Sequence, residues 1–155
     1  MNLVLLADHQ ASLSKIARWY CEEWGHLREG TSHEKMIKNL HSYLNKDKVP
    51  LMVLAMEGAE TVGVAQLKFR EMDIYPEKEH WLGGVFVSPE HRGNKTASKI
   101  VVKILAIAAS LNIEYLYLQT EKLNGGLYPQ LGWKPLEQVN YDGVDVLVME
   151  NKVLT

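Results

Sequence analysis

The sequence predicts a mixed α/β (α+β) fold, and three patterns support this prediction. Short runs typical of strands alternate with segments of helical spacing, a hairpin pattern covers residues 51–69, and a strand leads through a polar loop into a helix at residues 81–97. We predict the element order β-α-α-β-β-β-α-β-α-β-β. The chain of 155 residues is long enough for one domain with a substantial core, so a single domain over residues 1–155 is expected.

The N-terminal third is predicted to hold one strand and two helices. Residues 3–7 form a short apolar run typical of a buried strand. From Leu13 to Trp24 the apolar residues recur with helical spacing. Residues 31–34, Thr-Ser-His-Glu, have the pattern of a capping box, and the apolar residues between Met36 and Leu44 predict a second amphipathic helix after it.

The middle of the chain is predicted to hold a hairpin, a loop, a strand and a helix. Residues 51–56 and 62–69 are predicted as the two strands of an antiparallel hairpin. Residues 70–79 are polar and contain a proline, which predicts a loop. Residues 81–87 are the next strand, and residues 96–111 form a helix with a face rich in Ala, Ile and Val.

The C-terminal part is predicted to hold three strands and one short helix. Residues 114–119 alternate as a strand, and residues 124–131 are predicted as a helix that stops at Gly132. Residues 134–139 and 144–150 are predicted as two strands joined by a turn that contains Asp-Gly.

Composition and charge exclude several classes of protein. A formal net charge of -2 predicts no nucleic-acid partner and no anionic membrane partner. The chain has a single cysteine, Cys21, which excludes an intramolecular disulfide and is typical of a reducing compartment. With no apolar run of the length of a signal peptide, a cytoplasmic protein is expected. No spacing of His, Cys and carboxylates is typical of a metal site, so no metal is expected.

The segment at residues 81–97, WLGGVFVSPEHRGNKTA, is the most informative of the chain. A strand that runs through a polar loop into a helix is a general anion-binding arrangement. The free N–H groups of the first helical turn and the positive end of the helix dipole point to the same place. Such a site suits a pyrophosphate, so the segment indicates a nucleotide-like or coenzyme ligand.

Two motifs in this element order resemble those of the GCN5-related N-acetyltransferase (GNAT) superfamily, over essentially the whole chain. Residues 85–97, VFVSPEHRGNKTA, are similar to the acetyl-CoA signature, a strand ending in V-x-P followed by an Arg/Gln-x-x-Gly-x-Gly/Ala loop. Residues 127–133, LYPQLGW, are similar to the family's Leu-Tyr-x-x-x-Gly-Phe/Trp segment. The resemblance implies a mostly antiparallel central sheet of about seven strands flanked by about four helices. It also implies transfer of an acetyl group from acetyl-CoA to a primary amine on a small molecule, a peptide N-terminus or a lysine.

The resemblance further implies roles for individual residues. Tyr128 would lie near the thioester sulfur and assist the leaving thiol, although it is also suited to plain core packing. Asn124 could bind the pantetheine amides, and it is equally suited to a helix N-cap. The remaining coenzyme contacts would come from strand backbone that pairs with the pantetheine arm and from loop amides that wrap the pyrophosphate: Val85, Phe86, Val87, Arg92, Gly93, Asn94, Lys95, Thr96 and Ala97.

The sequence departs from the family pattern at two places. Lys95 stands where the family usually has a glycine; we expect its φ to be negative, as at a helix start, so that a side chain is tolerated. The strand at residues 81–87 lacks the acidic residue that many members carry, and Gly83 and Gly84 occupy the place. Adjacent glycines would ease a bulge that separates this strand from its neighbour.

The acceptor amine must lose a proton before it attacks the thioester, because a lysine-like amine has a reference pKa of about 10.4. Glu79 and His80, at the start of the central strand, are the predicted catalytic groups for this step, with Glu71 and Asp73 behind them. His80 is also suited to an ordinary strand-end position.

The acceptor pocket is expected near Trp19, Tyr20, Trp24 and Arg28, where family members build it, although core packing is the default explanation for Tyr20 and Trp24, which share the apolar face of the helix. A non-catalytic acyl-CoA-binding or regulatory module of the same fold is the alternative function. The missing strand acid favours that alternative and Tyr128 argues against it. A monomer and a homodimer are both compatible with the sequence.

Overall fold

The computed structural model describes residues 1–25 and 32–154, so Thr31 of the predicted capping box and Arg28 lie outside the described residues. Within these described residues, seven strands form a single sheet and three α-helices pack on it, which confirms the predicted mixed α/β fold. The elements are β1 (Asn2–Leu5), α1 (Leu13–Trp24), α2 (His33–Leu40), β2 (Leu51–Glu57), β3 (Glu60–Phe69), β4 (His80–Val87), α3 (Thr96–Ser110), β5 (Tyr115–Thr120), β6 (Lys134–Tyr141) and β7 (Val144–Lys152).

The strand order across the sheet is β1-β2-β3-β4-β5-β7-β6. All neighbouring pairs are antiparallel except β4 and β5, which are parallel and joined by α3. The sheet is thus mostly antiparallel, as the resemblance implied. A parallel pair needs a long crossover, and α3 supplies it.

Helices cover both faces of the sheet. On one face, α1 and α2 pack against Met52, Leu54 and Val64, and on the opposite face α3 packs against Leu51 and Val53. Because β2 is covered on both sides, its apolar residues run without interruption instead of alternating. Among the described residues, no helix has both the length and the apolar character needed to cross a membrane.

Several predicted boundaries are corrected by the structure. The first strand ends at Leu5 and continues as a 3-10 turn. The N-cap of α2 is Ser32, whose Oγ accepts a hydrogen bond from the Lys35 N–H at 3.1 Å, so the cap lies one residue after the predicted Thr31. This helix ends at Leu40, and a 3-10 turn over His41–Tyr43 follows where a continuous helix was expected.

The helix predicted over residues 124–131 is wrong for most of its length. Only a 3-10 helix, Tyr128–Leu131, is present. Gly125 and Gly126 have φ of +90° and +57°, a left-handed conformation that an α-helix does not contain. Asn124 is consequently not a helix cap, and its Oδ1 accepts a hydrogen bond from the Gly126 N–H at 2.9 Å.

The predicted loop at residues 70–79 is confirmed and is held tightly on the sheet. Met72 and Tyr75 are buried against Trp81 of β4 and against Val146 and Val148 of β7. The Trp81 Nε1–H donates to the Lys78 carbonyl at 2.7 Å. These contacts place the loop on the α1–α2 face of the sheet, beside the glycines of β4.

Candidate active site at the opening between two strands

The sheet opens between β4 and β5. The two strands pair only at Trp81 and Tyr117. Beyond Trp81, the residues of β4 have no ladder partner on this side in the part of the chain that the structure describes, so backbone groups of a central strand are available to another molecule. A ligand that lies along this edge can add to the sheet as if it were a further strand.

A bulge in β4 accompanies the opening. Gln66 of β3 pairs with Gly83 and Val64 pairs with Phe86, so one residue of β3 faces both Gly84 and Val85. Gly84 has φ of +56°, and the Tyr20 hydroxyl donates a hydrogen bond to its carbonyl at 2.7 Å. The bulge expected at these glycines is present, and Tyr20 fixes its position.

The loop after β4 carries an unusual backbone conformation at Lys95. The predicted negative φ is wrong: Lys95 has φ of +61° and ψ of +20°, in the left-handed region. The reason is that Lys95 is the residue before the first turn of α3, outside the helix, where the chain reverses direction. No side chain of the described residues caps this helix, so the N–H groups of its first turn are open to an anion.

Arg92 and Gly93 shape the same loop. The Arg92 Nε–H donates to the Val87 carbonyl at 2.9 Å, and the guanidinium lies 5.5 Å from the centre of the Phe86 ring. These contacts hold the loop on the end of β4. Gly93 has φ of +83°, and no heavy atom lies within 4 Å of the place of a Cβ there. Gly93 is therefore needed for its conformation, with open space around it.

Tyr128 lies in the segment that follows β5 and packs against the core that α3 covers. Its ring packs edge-on against Trp133 at 6.0 Å, and burial raises the pKa of its hydroxyl to about 12. The hydroxyl makes no hydrogen bond to any residue that the structure describes. It is thus a protonated and unengaged donor at neutral pH.

The predicted catalytic groups Glu79 and His80 lie at the start of β4. Glu79 is half exposed and bonds Arg70 at 3.2 Å and the His80 Nε2 at 3.2 Å. Burial lowers the pKa of His80, the Glu79 carboxylate opposes that shift, and Arg70 adds to it. At about 3.3 Å per residue, His80 is roughly 13 Å along the strand from the bulge at Gly84. Their catalytic role stays a prediction.

Polar side chains cluster on the α1–α2 face beside the bulge. The Lys68 Nζ lies 3.1 Å from the Glu71 Oε2, next to Tyr43 and Tyr20. Burial raises the pKa of both tyrosines, most strongly for Tyr20. Lys68 was missed by the sequence analysis because it is on a strand whose alternation favours an ordinary solvent-facing residue.

Aromatic residues of α1 pack against β4 beside this polar cluster. Trp19 and Trp24 pack against Phe86, with ring centres 5.1 and 6.4 Å away, and Trp24 also contacts Tyr20 at 5.4 Å. Core packing therefore accounts for Trp19. Tyr20 packs in the core and also donates a hydrogen bond to the bulge, which the helical pattern alone did not show.

The model of the acetyltransferase (GNAT) family matches residues 13–133. The chain belongs to this family. A sequence comparison with curated proteins finds no match.

Solved structures of GNAT enzymes share the fold over their whole length. An aminoglycoside 6'-N-acetyltransferase complexed with coenzyme A aligns with a TM-score of 0.78 at 14% identity, covering 100% of this chain and 98% of that chain. An aminoglycoside 6'-acetyltransferase type Ii gives 0.77 at 16% identity, with 100% and 99% covered. A ribosomal-protein-alanine N-acetyltransferase from Brucella melitensis gives 0.72 at 18% identity, with 98% and 99% covered. At these identities the likeness demonstrates the fold alone.

Proposed function

We propose that this GNAT protein transfers an acetyl group from acetyl-CoA to a primary amine by direct attack of the amine on the thioester. The observation that carries the proposal is the open edge of β4 beyond Trp81, which leads into the uncapped N-terminus of α3. The strand edge suits the amide groups of the pantetheine arm, and the helix start suits the pyrophosphate. The crystallised relative with coenzyme A supports this choice of ligand.

Chemistry and the names of the relatives support the proposed acceptor class. Both the aminoglycoside acetyltransferases and the ribosomal-protein-alanine acetyltransferase are named for acceptors that carry an amine. We infer a primary amine for this chain. A small molecule, a peptide N-terminus and a lysine all fit that description.

Tyr128 is the proposed donor to the departing sulfur. The pKa of its hydroxyl, raised to about 12 by burial, exceeds the reference value of about 8.5 for a thiol. The hydroxyl therefore keeps its proton and stabilises the developing thiolate by a hydrogen bond. Lys95, Asn94 and the amides of Thr96 and Ala97 are proposed to hold the pyrophosphate, and Asn124, which is exposed, is proposed to reach the pantetheine.

The Tyr128→Phe variant tests the proposal. Thiol release from acetyl-CoA in the presence of an amine panel should fall by about 100-fold, as for loss of a group that acts on the transition state. The dissociation constant for acetyl-CoA, measured by calorimetry, should change less than about three-fold, because the ring keeps its packing on Trp133.

Two other outcomes would contradict the proposal in different ways. Tight acetyl-CoA binding by the wild-type protein with no turnover of any amine would favour a non-catalytic acyl-CoA-binding module. Unchanged turnover in the variant would remove Tyr128 from the reaction.

A further inference from the structure

The Lys68–Glu71 ion pair lies directly against the bulged strand. If Gly83 carried a Cβ, that atom would lie 2.6 Å from the Glu71 Oε2 and 3.0 Å from the Lys68 Cδ. Because Gly83 has no Cβ, the Glu71 carboxylate can occupy this space. The strand itself has no acidic residue, and the loop at residues 70–79 brings one to it instead.

Both charged groups are partly shielded from water. The side chains of Lys68 and Glu71 are 21% and 16% exposed. Lys68 from β3, Tyr20 from α1 and Tyr43 from the turn after α2 are the titratable groups of the described residues that face the carboxylate. A shielded charge that loses its partner costs more free energy than an exposed one. Any molecule that separates this pair must therefore supply a new opposite charge to both Lys68 and Glu71.

From this arrangement, we propose that the Lys68–Glu71 pair is the acceptor site, and that the acceptor is a primary amine that carries a carboxylate, such as an amino acid. This inference rests on the proposed acetyl transfer. The acceptor ammonium takes the place of Lys68 against Glu71, and the acceptor carboxylate pairs with Lys68. Neither protein charge is then left alone, whereas an amine with a neutral tail would leave Lys68 unpaired and a polyamine would repel it.

Glu71 also supplies a carboxylate beside the bulge for the proton transfer, 2.6 Å from the place of a Cβ at Gly83. The acceptor ammonium gives one proton to Glu71, which reaches solvent through its exposed part and passes the proton on. The nitrogen then forms a bond to the thioester carbon and the carbon–sulfur bond breaks. Nitrogen loses a second proton as the amide forms, and this proton balances the one that the sulfur takes up. The products are the N-acetylated amino acid, the free thiol of CoA and one proton released to water.

A panel of amino acids, each paired with its own C-terminal amide, tests the acceptor class by thiol release. The two members of a pair differ only in the carboxylate. We expect kcat/KM at least about 10-fold higher for an amino acid than for its amide, although the amide has the lower amine pKa and is intrinsically more reactive at neutral pH. In Lys68→Met this preference should disappear, because the variant lacks the cation that binds the carboxylate of the acceptor.

The isosteric Glu71→Gln variant tests the proton acceptor. Its kcat should fall by about 100-fold or more, Glu71→Asp should retain more activity than Glu71→Gln, and acetyl-CoA affinity should stay within about two-fold in both. Glu77→Gln is the matched control, since Glu77 lies in the same loop and is 64% exposed on its side chain.

Moving the carboxylate onto the strand gives a further test of its place. Gly83→Asp alone should lose activity, because its Cβ meets the Glu71 carboxylate. The double variant, Gly83→Asp with Glu71→Ala, should be at least about 10-fold more active than Glu71→Ala alone. A double variant no more active than Glu71→Ala would contradict the proposed placement.

Failure of this inference is distinguishable from failure of the proposed function. If the wild-type protein binds acetyl-CoA and acetylates amides or polyamines as well as amino acids, or if Glu71→Gln behaves like Glu77→Gln, the inference is overturned and acetyl transfer stands. If the protein neither binds acetyl-CoA nor releases thiol with any amine, both are overturned.

Discussion

At the scale of single residues, Lys95 shows how a side chain occupies a position that favours glycine. Its φ of +61° costs roughly 1–2 kcal/mol for an L-residue. The loop keeps this conformation because the Arg92 contact with the Val87 carbonyl on one side and α3 on the other fix the chain at both ends. The family resemblance marked the position as unusual, but only the backbone angle shows why.

Replacement of Lys95 by glycine should therefore raise the free energy of unfolding by about 1 kcal/mol or less, since relief of strain is partly offset by the greater freedom of glycine in the unfolded chain. Chemical denaturation measures the change. Lys99→Gly, in the first turns of α3, is the matched control and should lower the same free energy by about 1 kcal/mol. Equal destabilisation by both variants would show that Lys95 is not strained.

At the scale of elements, the bulge of β4 depends on α1. The Gly84 carbonyl accepts a hydrogen bond from Tyr20, which is 64 residues away in sequence. A Cβ at Gly84 would lie 2.6 Å from the Tyr20 hydroxyl and 2.9 Å from the Gln66 Cδ. The strand and the helix thus fix each other, and the opening to β5 is built into the packing before any ligand binds.

Gly84→Ala should lower the free energy of unfolding by about 2 kcal/mol or more, because the backbone strain and the close contact act together. Gly143→Ala is the matched control: Gly143 has φ of +86° with no atom within 4 Å of a Cβ, so strain acts alone and about 1 kcal/mol is expected. Tyr20→Phe should lower the free energy of unfolding less in the Gly84→Ala background than in the wild type. A double-mutant cycle by chemical denaturation measures this difference. Equal effects of the two alanine variants would argue against the Tyr20 contact.

At the scale of the whole molecule, the sheet consists of two parts joined at a narrow seam. Strands β1–β4 form one part and β5–β7–β6 form the other, and the ladder between them is the single pair Trp81 and Tyr117. Trp81 is fully buried and contacts Tyr75 and Tyr117. The core that α3 covers continues under both parts, so the opening lies above a continuous core.

Hydrogen exchange should reveal this seam and the ligand that covers it. In the free protein, we expect fast exchange of amides that face the opening within residues 82–87, because they lack a ladder partner there. Acetyl-CoA should slow exchange at these residues and at the start of α3. The outer edge of β6, residues 134–141, is the internal control and should not change. Protection at β6 without protection at residues 82–87 would place the ligand elsewhere.

Much of the fold could be predicted from the sequence because its signals are local. Strand and helix spacing identified β2, β3, β4 and α3 to within about two residues, and the motifs located the loop after β4. The helix at residues 124–131 was wrong because apolar spacing outweighed two adjacent glycines, whose left-handed φ values interrupt a helix whatever the side chains around them prefer.

The sequence by itself determined the family and most of the order of elements, since strand and helix spacing and the two motifs are each local patterns of about a dozen residues. Only the tertiary structure decided which side chains meet at the bulge. Tyr20, Lys68 and Glu71 come from a helix, a strand and a loop, and their meeting depends on how α1 and the loop at residues 70–79 pack on β4. No local pattern encodes that packing, because the loop packs through burial of Met72, Tyr75 and Trp81 in a core shared with β7, and α1 packs through a separate core.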